Sequence, residues 1–226
     1  MLKITLITIA QISEPPLRQI LVKTVLLSLV SIFACGLLAW ILLEKFGLFG
    51  LGFLDTFLPW IGGALTVLIG FVFFPSTIMV IGGLFSDEII AIIEEKHYPK
   101  NIGSNRVPLL VSIRTGLTLI IIATIINICF LPFYALGMLL PGLSFIIFYL
   151  GNGYLIGREI FENVAQRHLP VNEARKLRKR CFPKILLGGG LITFVATIPL
   201  INLATPLLGV GFMVHLYHKV CSENGQ

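Results

Sequence analysis

ILLGGGLITFVATIPLINLATPLLGVGFMV, residues 185–214, runs thirty residues without a charge and is cut twice by proline, at Pro199 and Pro206. A helix that crosses the roughly 30 Å hydrocarbon core of a bilayer needs about 20 residues at about 1.5 Å each. The 14 residues before Pro199 and the roughly 11 after Pro206 are each too short for that. Proline removes an intrahelical donor and clashes with the preceding turn, so the two breaks bracket a tip, LINLAT. The expected structure over 185–218 is a re-entrant helical hairpin, its irregular tip covered by neighbouring helices so that no backbone polar group faces lipid.

The same ruler applied outward gives three more charge-free runs. Thr24 to Leu43 is 20 residues between Lys23 and Glu44, one plain transmembrane helix within a first long helix over 20–43. Thr56 to Ser86 is 31 residues between Asp55 and Asp87, too long for one perpendicular span and too short for two, so a second long helix over 56–86 is expected, tilted and kinked near Pro75. Thr115 to Gly157 is 43 residues with Pro132 and Pro141 about its middle. It predicts a hairpin over 107–157 whose legs of 17 and 16 residues are about 25 Å each, which leaves open whether they reach the far headgroups. Between the runs lie two amphipathic stretches. In 87–99, Ile89, Ile92 and Ile93 share one helical face, with Asp87, Glu88, Glu94 and Glu95 mainly on the other. The stretch 158–184 is strongly basic. The fold class is all-α: one polytopic membrane domain over 1–226, with two long helices and partly penetrating hairpins joined by interfacial helices.

Composition agrees. Of 226 residues, 56% are apolar and 12% charged, and the mean hydropathy is +0.95, against about 25% charge in a soluble domain. Lys and Arg number 17 against 11 Asp and Glu, a net charge of +6. Residues 158–184 hold eight basic and three acidic residues, hence +5 of it. A basic cluster bounded by apolar segments fits cytoplasmic retention and anionic headgroups, with Arg175, Lys176, Arg178, Lys179 and Arg180 facing lipid, and so little water-exposed chain argues against nucleic acid. With Arg18, Lys23 and the 96–114 and 158–184 segments all on one side, both termini are cytoplasmic. The N-terminal stretch MLKITLITIAQ lacks the length and cleavage site of a secretory signal and is expected to be retained. Cys35, Cys129, Cys181 and Cys221 have no metal spacing and read as apolar fillers.

No nucleotide, hydrolase or metalloprotease motif is present, and the glycines of IGGAL, IGGLF and LLGGGL lie in apolar runs, where close helix packing accounts for them. Neither an enzyme nor a cofactor is expected. His215 and His218, at i and i+3, could share a metal but lack a third ligand nearby in the sequence, so no metal site is assigned. Displaced by 71 residues, Glu88-Ile89, Ile93, Lys96-His97 and Pro99 match Glu159-Ile160, Val164, Arg167-His168 and Pro170, a hint of an internal repeat. None of the four runs contains an acid, which disfavours proton-coupled carriage. Polar groups at depth are neutral, among them Asn127 and Asn202, with Arg114 and Arg158 at the ends of the third run. Broken helices and a few cations without a buried acid suit an anion, although the prolines could equally just shape hairpins. The best local candidate is SEPPLRQILVK: Pro15 and Pro16 open a helix and leave the amides of Leu17, Arg18 and Gln19 unpaired beside the Arg18 guanidinium, with Lys23 a turn on and Glu14 as an opposing charge.

SEPPLRQILVK, FSDEIIAIIEEKHYP, GNGYLIGREIFENVAQRHLPVNEARKLRKR and IPLINLATPLLGVGFMVHLYHK resemble the membrane-protein family of the bacterial sulfate permease CysZ and its etoposide-induced eukaryotic relatives, over nearly the whole chain. The resemblance implies two long helices plus partly penetrating hairpins, a homo-oligomer, and inward movement of sulfate for cysteine synthesis. It further implies an anion contact at a Gly-x-Arg-Arg pattern opening the first long helix. Here that stretch reads Pro16-Leu17-Arg18-Gln19, so only Arg18 carries over. The expected function is a multi-pass bacterial inner-membrane permease for sulfate or a similar small oxyanion. Leu17, Arg18 and Gln19 bind the anion, and Lys23, Arg114, Asn127, Arg158 and Asn202 line or support the pathway. The competing expectation is a non-transporting scaffold that binds anionic lipid or a cytoplasmic partner through 158–184.

Overall fold

The computed structural model describes residues 2–46, 74, 77–105, scattered positions between 118 and 133, 141–198 and 200–223. Among these, all regular structure is helical. Helix α1 (Leu2–Ile12) leads through a tight corner, where the Glu14 N–H donates to the Gln11 carbonyl at 3.0 Å, into α2 (Pro15–Phe46). Pro15 and Pro16 take the first helical positions, where a missing N–H costs nothing. The long helix therefore starts five residues before the expected 20–43. Its stretch Pro15–Leu38, 24 residues with a mean hydropathy of 2.3 and only 17% of its most apolar window buried, is long enough to cross a bilayer. Leu26, Leu29, Val30, Phe33 and Leu37 on it are exposed.

Most of the expected second long helix, including the kink at Pro75, lies outside the described residues. Residues 77–84 are helical, and the chain then breaks at Phe85, whose N–H donates to the Gly82 carbonyl. Helix α3 (Ser86–His97) follows and buries Ile89, Ile90 and Ile93 as its apolar stripe. It also buries Glu94, which the sequence pattern placed on the polar face; Glu94 stands four residues after Ile90 and so follows it into the interior.

Helix α4 (Pro141–Gln166) passes without interruption through Gly157 and Arg158. The boundary expected at 157/158 is therefore absent, since nothing there stops a helix. Pro170 supplies the break instead, with extended backbone (φ −57°, ψ 149°) ahead of α5 (Val171–Arg180). The basic stretch 158–184 is thus the end of α4, a turn, α5 and the first residues of α6 (Phe182–Ala196), not one interfacial helix. The hairpin expected over 185–218 is formed by α6, a 3-10 turn (Ile201–Ala204) and α7 (Thr205–Glu223). Leu200 makes the reversal with a positive φ of 68° and is exposed at the tip.

Helix α7 is the core element. From Leu207 to Val220 its side chains are buried nearly all round, packed by α1, α3, α4 and α6. Among the described residues, helices α4 and α6 form the closest pair because glycines face each other. A Cβ on Gly157 would lie 2.6 Å from the Ile185 carbonyl oxygen, and one on Gly153 would lie 2.9 Å from the Gly190 nitrogen. On the outside, Phe145, Ile146 and Leu150 of α4 and Leu187, Leu191 and Phe194 of α6 are exposed. Together with the bare face of α2 they form apolar surface on a scale that lipid accommodates and water does not.

Candidate functional site

The corner before α2 and the polar interior beneath it form one region, assembled from α1, α2, α3, the end of α4 and α7. At the corner, the Arg18 N–H donates to the Glu14 carbonyl at 2.9 Å, and the helical ladder from Pro15 takes the Gln19 N–H. The expectation of three unpaired amides is therefore corrected to one. Of the three, only the Leu17 N–H has no acceptor among the described residues, because a helix beginning at Pro15 already closes its first two rings on residues 14 and 15. The Leu17 side chain is buried, whereas Arg18, Gln19 and Lys23 are exposed. The opposing charge of Glu14 is paired: Lys96 Nζ lies 2.6 Å from Glu14 Oε1. Arg18 and Lys23 have no ion-pair partner among the described residues.

Beneath the corner runs a chain of hydrogen bonds. Gln11 Oε1 lies 3.1 Å from His215 Nε2, and His215 Nδ1 lies 2.8 Å from the Tyr98 hydroxyl. Burial, reinforced by the neighbouring His97 and His218 rings, holds the His215 pKa down at about 4. A neutral His215 then donates through Nε2 to Gln11 and accepts from Tyr98 at Nδ1. Tyr98 stacks on His218, with centroids 3.7 Å apart and planes at 10°. His218 Nε2 lies 3.3 Å from Glu94 Oε1, and His168 Nε2 lies 2.6 Å from the same oxygen. The other carboxylate oxygen, Oε2, accepts the Gly103 N–H at 2.9 Å. Burial alone would raise the Glu94 pKa; the bonds from His168, His218 and Gly103 outweigh it and hold the value at about 2. Arg167 closes the end of the chain, giving Nη2 to the Gly103 carbonyl and Nη1 to Asp87 Oδ1, both at 3.1 Å.

A second buried group joins α4 to α5. Glu162 Oε1 lies 2.6 Å from Arg178 Nε and 3.5 Å from Arg158 Nε, all three residues at most 8% exposed. Two guanidinium groups share one carboxylate, leaving one net positive charge inside the protein. Arg178 is thus not lipid-facing as its sequence neighbourhood suggested; the helical phase that buries Ala174 and Leu177 turns it inward. Lys176, Lys179 and Arg180 are exposed, and Arg175 is half-buried. Arg158 sits at depth as a member of this group rather than at the end of a span. Asn202 is half-buried in the 3-10 turn with its Oδ1 lacking a partner. Arg114 and Asn127 lie outside the described residues.

The structure therefore brings together residues that the sequence left apart. Glu94, His168 and His218 converge, their ligand-capable atoms all within 4.8 Å of one another. Two signals for this were present in the sequence: the 71-residue echo ending in Lys96-His97 and Arg167-His168, and the His215/His218 pair. Neither revealed the shared acid. A family model described as sulfate transporter CysZ/etoposide-induced protein 2.4 matches residues 5–206. No curated protein and no solved structure gives a significant match.

Proposed function

This chain belongs to the family of the sulfate transporter CysZ and etoposide-induced protein 2.4, a sulfate-transporter-like family of membrane proteins, and from that premise we propose that it is an inner-membrane permease for sulfate or a similar small oxyanion. The observation that carries this is the opening of α2. Two exposed cations, Arg18 and Lys23, stand at the start of the long apolar helix with no counter-ion among the described residues, Glu14 is paired with Lys96, and the Leu17 N–H has no acceptor among the described residues. An oxyanion there gains a guanidinium, an amide and the positive end of a long helix. The exposed carboxamide of Gln19 stands where the family pattern has a second Arg and offers one neutral donor in its place. Arg158 and Arg178 add positive potential further in, and Asn202 supplies a polar group at the hairpin tip. The protein works as a homo-oligomer with both termini in the cytoplasm of a bacterium, and feeds sulfur assimilation.

The test is uptake of radiolabelled sulfate into liposomes containing the purified protein. Loss of one charge-assisted hydrogen bond of roughly 1.5 to 3 kcal/mol makes Arg18→Ala about tenfold to a hundredfold less effective at low sulfate. Uptake no greater than in protein-free liposomes, or undiminished in Arg18→Ala, refutes the assignment. The exposure of Lys176, Lys179 and Arg180 on α5 favours a second reading, a scaffold that binds anionic lipid without transport. It predicts no uptake, together with vesicle binding that disappears in Lys176→Ala/Lys179→Ala/Arg180→Ala.

A further inference from the structure

We propose that Glu94, His168 and His218 form a binding site for one divalent transition-metal cation of the zinc class, a site separate from the anion contact at Arg18. The three residues come from α3, the turn after α4 and α7, more than seventy residues apart in the case of Glu94 and His168. Their ligand-capable atoms lie within 4.8 Å of one another, and both imidazoles direct the same nitrogen, Nε2, to the same carboxylate oxygen. Two imidazole nitrogens and a carboxylate oxygen are a donor set that suits zinc and excludes the hard cations, which take oxygen ligands alone.

The surroundings hold each ligand in orientation. His218 lies flat against Tyr98, and His168 lies against Tyr217 with centroids 4.7 Å apart and planes at 25°. Glu94 Oε2 is occupied by the Gly103 N–H, which leaves Oε1 as the coordinating atom. Gly103 is in turn fixed through its carbonyl by Arg167. Only glycine serves at 103, because a Cβ there would lie 2.9 Å from His168 Nε2 and 2.8 Å from the Arg167 Cβ. Supports of this kind, a bonded carboxylate and clamped imidazole rings, tune metal sites elsewhere.

Binding asks for small changes. Each imidazole presents its Nε2 lone pair and carries its proton on Nδ1. Ligands about 2.0 to 2.2 Å from a tetrahedral ion are roughly 3.3 to 3.5 Å from each other. The His218–Glu94 separation of 3.3 Å already meets this, while the His168–Glu94 separation of 2.6 Å has to open by less than 1 Å. One carboxylate against a divalent ion leaves the fourth position for water or a small anion. A metal here ties α3 and the end of α4 to the core helix α7, and gives the protein a metal-dependent stability unrelated to whether sulfate is its cargo.

The experiment uses the full-length protein, purified in detergent without a histidine tag and stripped by chelator dialysis. Zinc chloride is titrated by competition with a chromophoric chelator, and metal content is measured by mass spectrometry. The proposal expects one zinc per chain with a Kd below 1 µM, a rise in melting temperature on zinc addition, and no rise with magnesium chloride. His168→Gln and His218→Gln keep a hydrogen-bond donor for Glu94 and elute as the native species, and each weakens zinc binding at least a hundredfold. His97→Gln, which alters an exposed imidazole outside the ligand set, leaves it unchanged. Less than 0.1 zinc per native chain overturns the proposal and leaves Glu94 as the acceptor of two imidazole hydrogen bonds. Equal affinity in wild type, His168→Gln and His218→Gln also overturns it. Sulfate uptake does not enter the readout, so failure of the permease assignment and failure of the metal site are told apart.

Discussion

Gly189→Ala adds a single methyl group at the most crowded of the described glycines. The new Cβ would overlap the carbonyl oxygen of Gly153 and lie 2.8 Å from both the nitrogen and the Cα of Gly157. All three are backbone atoms of α4, so no side chain can swing away; the two helices have to separate along their glycine seam. Overpacking of a well-filled contact costs about 1 to 3 kcal/mol where side chains yield, and backbone resistance puts this case at the upper end, about 3 kcal/mol or more. The neighbouring residue is the control. A Cβ on Gly190 meets nothing within 4 Å. Gly190→Ala therefore keeps only the helix-propensity gain, roughly 0.5 to 1 kcal/mol. For a chain of this size 1 kcal/mol corresponds to about 2 to 4 °C in melting temperature. In detergent, with loss of the monodisperse peak on size-exclusion chromatography as the readout, Gly189→Ala falls by about 6 °C or more and Gly190→Ala rises slightly or stays level. Equal behaviour of the two variants, in either direction, refutes the close approach of α4 and α6.

Arg178→Met removes the nearer guanidinium from Glu162 and leaves Arg158 Nε at 3.5 Å as its remaining cation. Breaking a buried pair from one side costs about 3 to 5 kcal/mol; with Arg158 left to neutralise Glu162 the loss lies toward the lower end, about 3 kcal/mol. The melting temperature drops accordingly, and Arg178→Met/Glu162→Met does not recover it, because Arg158 then stands buried without its carboxylate. A drop no larger than that of Lys179→Met, an exposed neighbour, contradicts the inward orientation of Arg178. Burial pushes the Cys181 thiol above its ordinary pKa, against the smaller opposing effects of Lys184 and Arg180. A raised pKa means less thiolate at any given pH, so N-ethylmaleimide modifies Cys181 more slowly than a free thiol at pH 7.5 and gains on it as the pH rises; mass-spectrometric mapping at pH 7.5 and 9 checks the order.

The lengths of the charge-free runs carry the two helices about the turn at 201–204 and the long apolar first helix, because both follow from one-dimensional quantities: run length, proline positions and flanking charge. The burial of α7 at the centre is not readable in the same way, since α2 is at least as apolar and keeps an exposed face. The break at Phe85 does not follow from composition, since Phe85 is no breaker, whereas the uninterrupted passage of α4 through Arg158 is open to reading from the lack of any breaker there, since a charge does not end a helix. Glu94 shows the limit most clearly. By charge it belongs on the outer face of α3; it is inside because His168 and His218 arrive from segments 74 and 124 residues away to receive it. Arg178 is the same case, as its inward direction requires Glu162 on another helix. Single residues in the sequence do not carry their partners, so a polar residue's burial becomes readable only when the partner is in place.

The absence of acids from the four apolar runs supported an interior hospitable to anions, yet two acids, Glu94 and Glu162, are buried in the helices that flank those runs. Both are paired by their surroundings. Glu162 is over-compensated by two guanidinium groups, and Glu94 is enclosed by two imidazoles and an amide, so neither presents a bare carboxylate to the interior. Lys96 does the same for Glu14 beside Arg18. Removing these partners one at a time exposes a negative charge near the proposed path without touching Arg18. Lys96→Ala is the mildest such change, because its pair is partly solvated and contributes little to stability. An oxyanion that approaches Arg18 then meets an uncompensated Glu14, and the apparent affinity for sulfate falls while the fold stays intact.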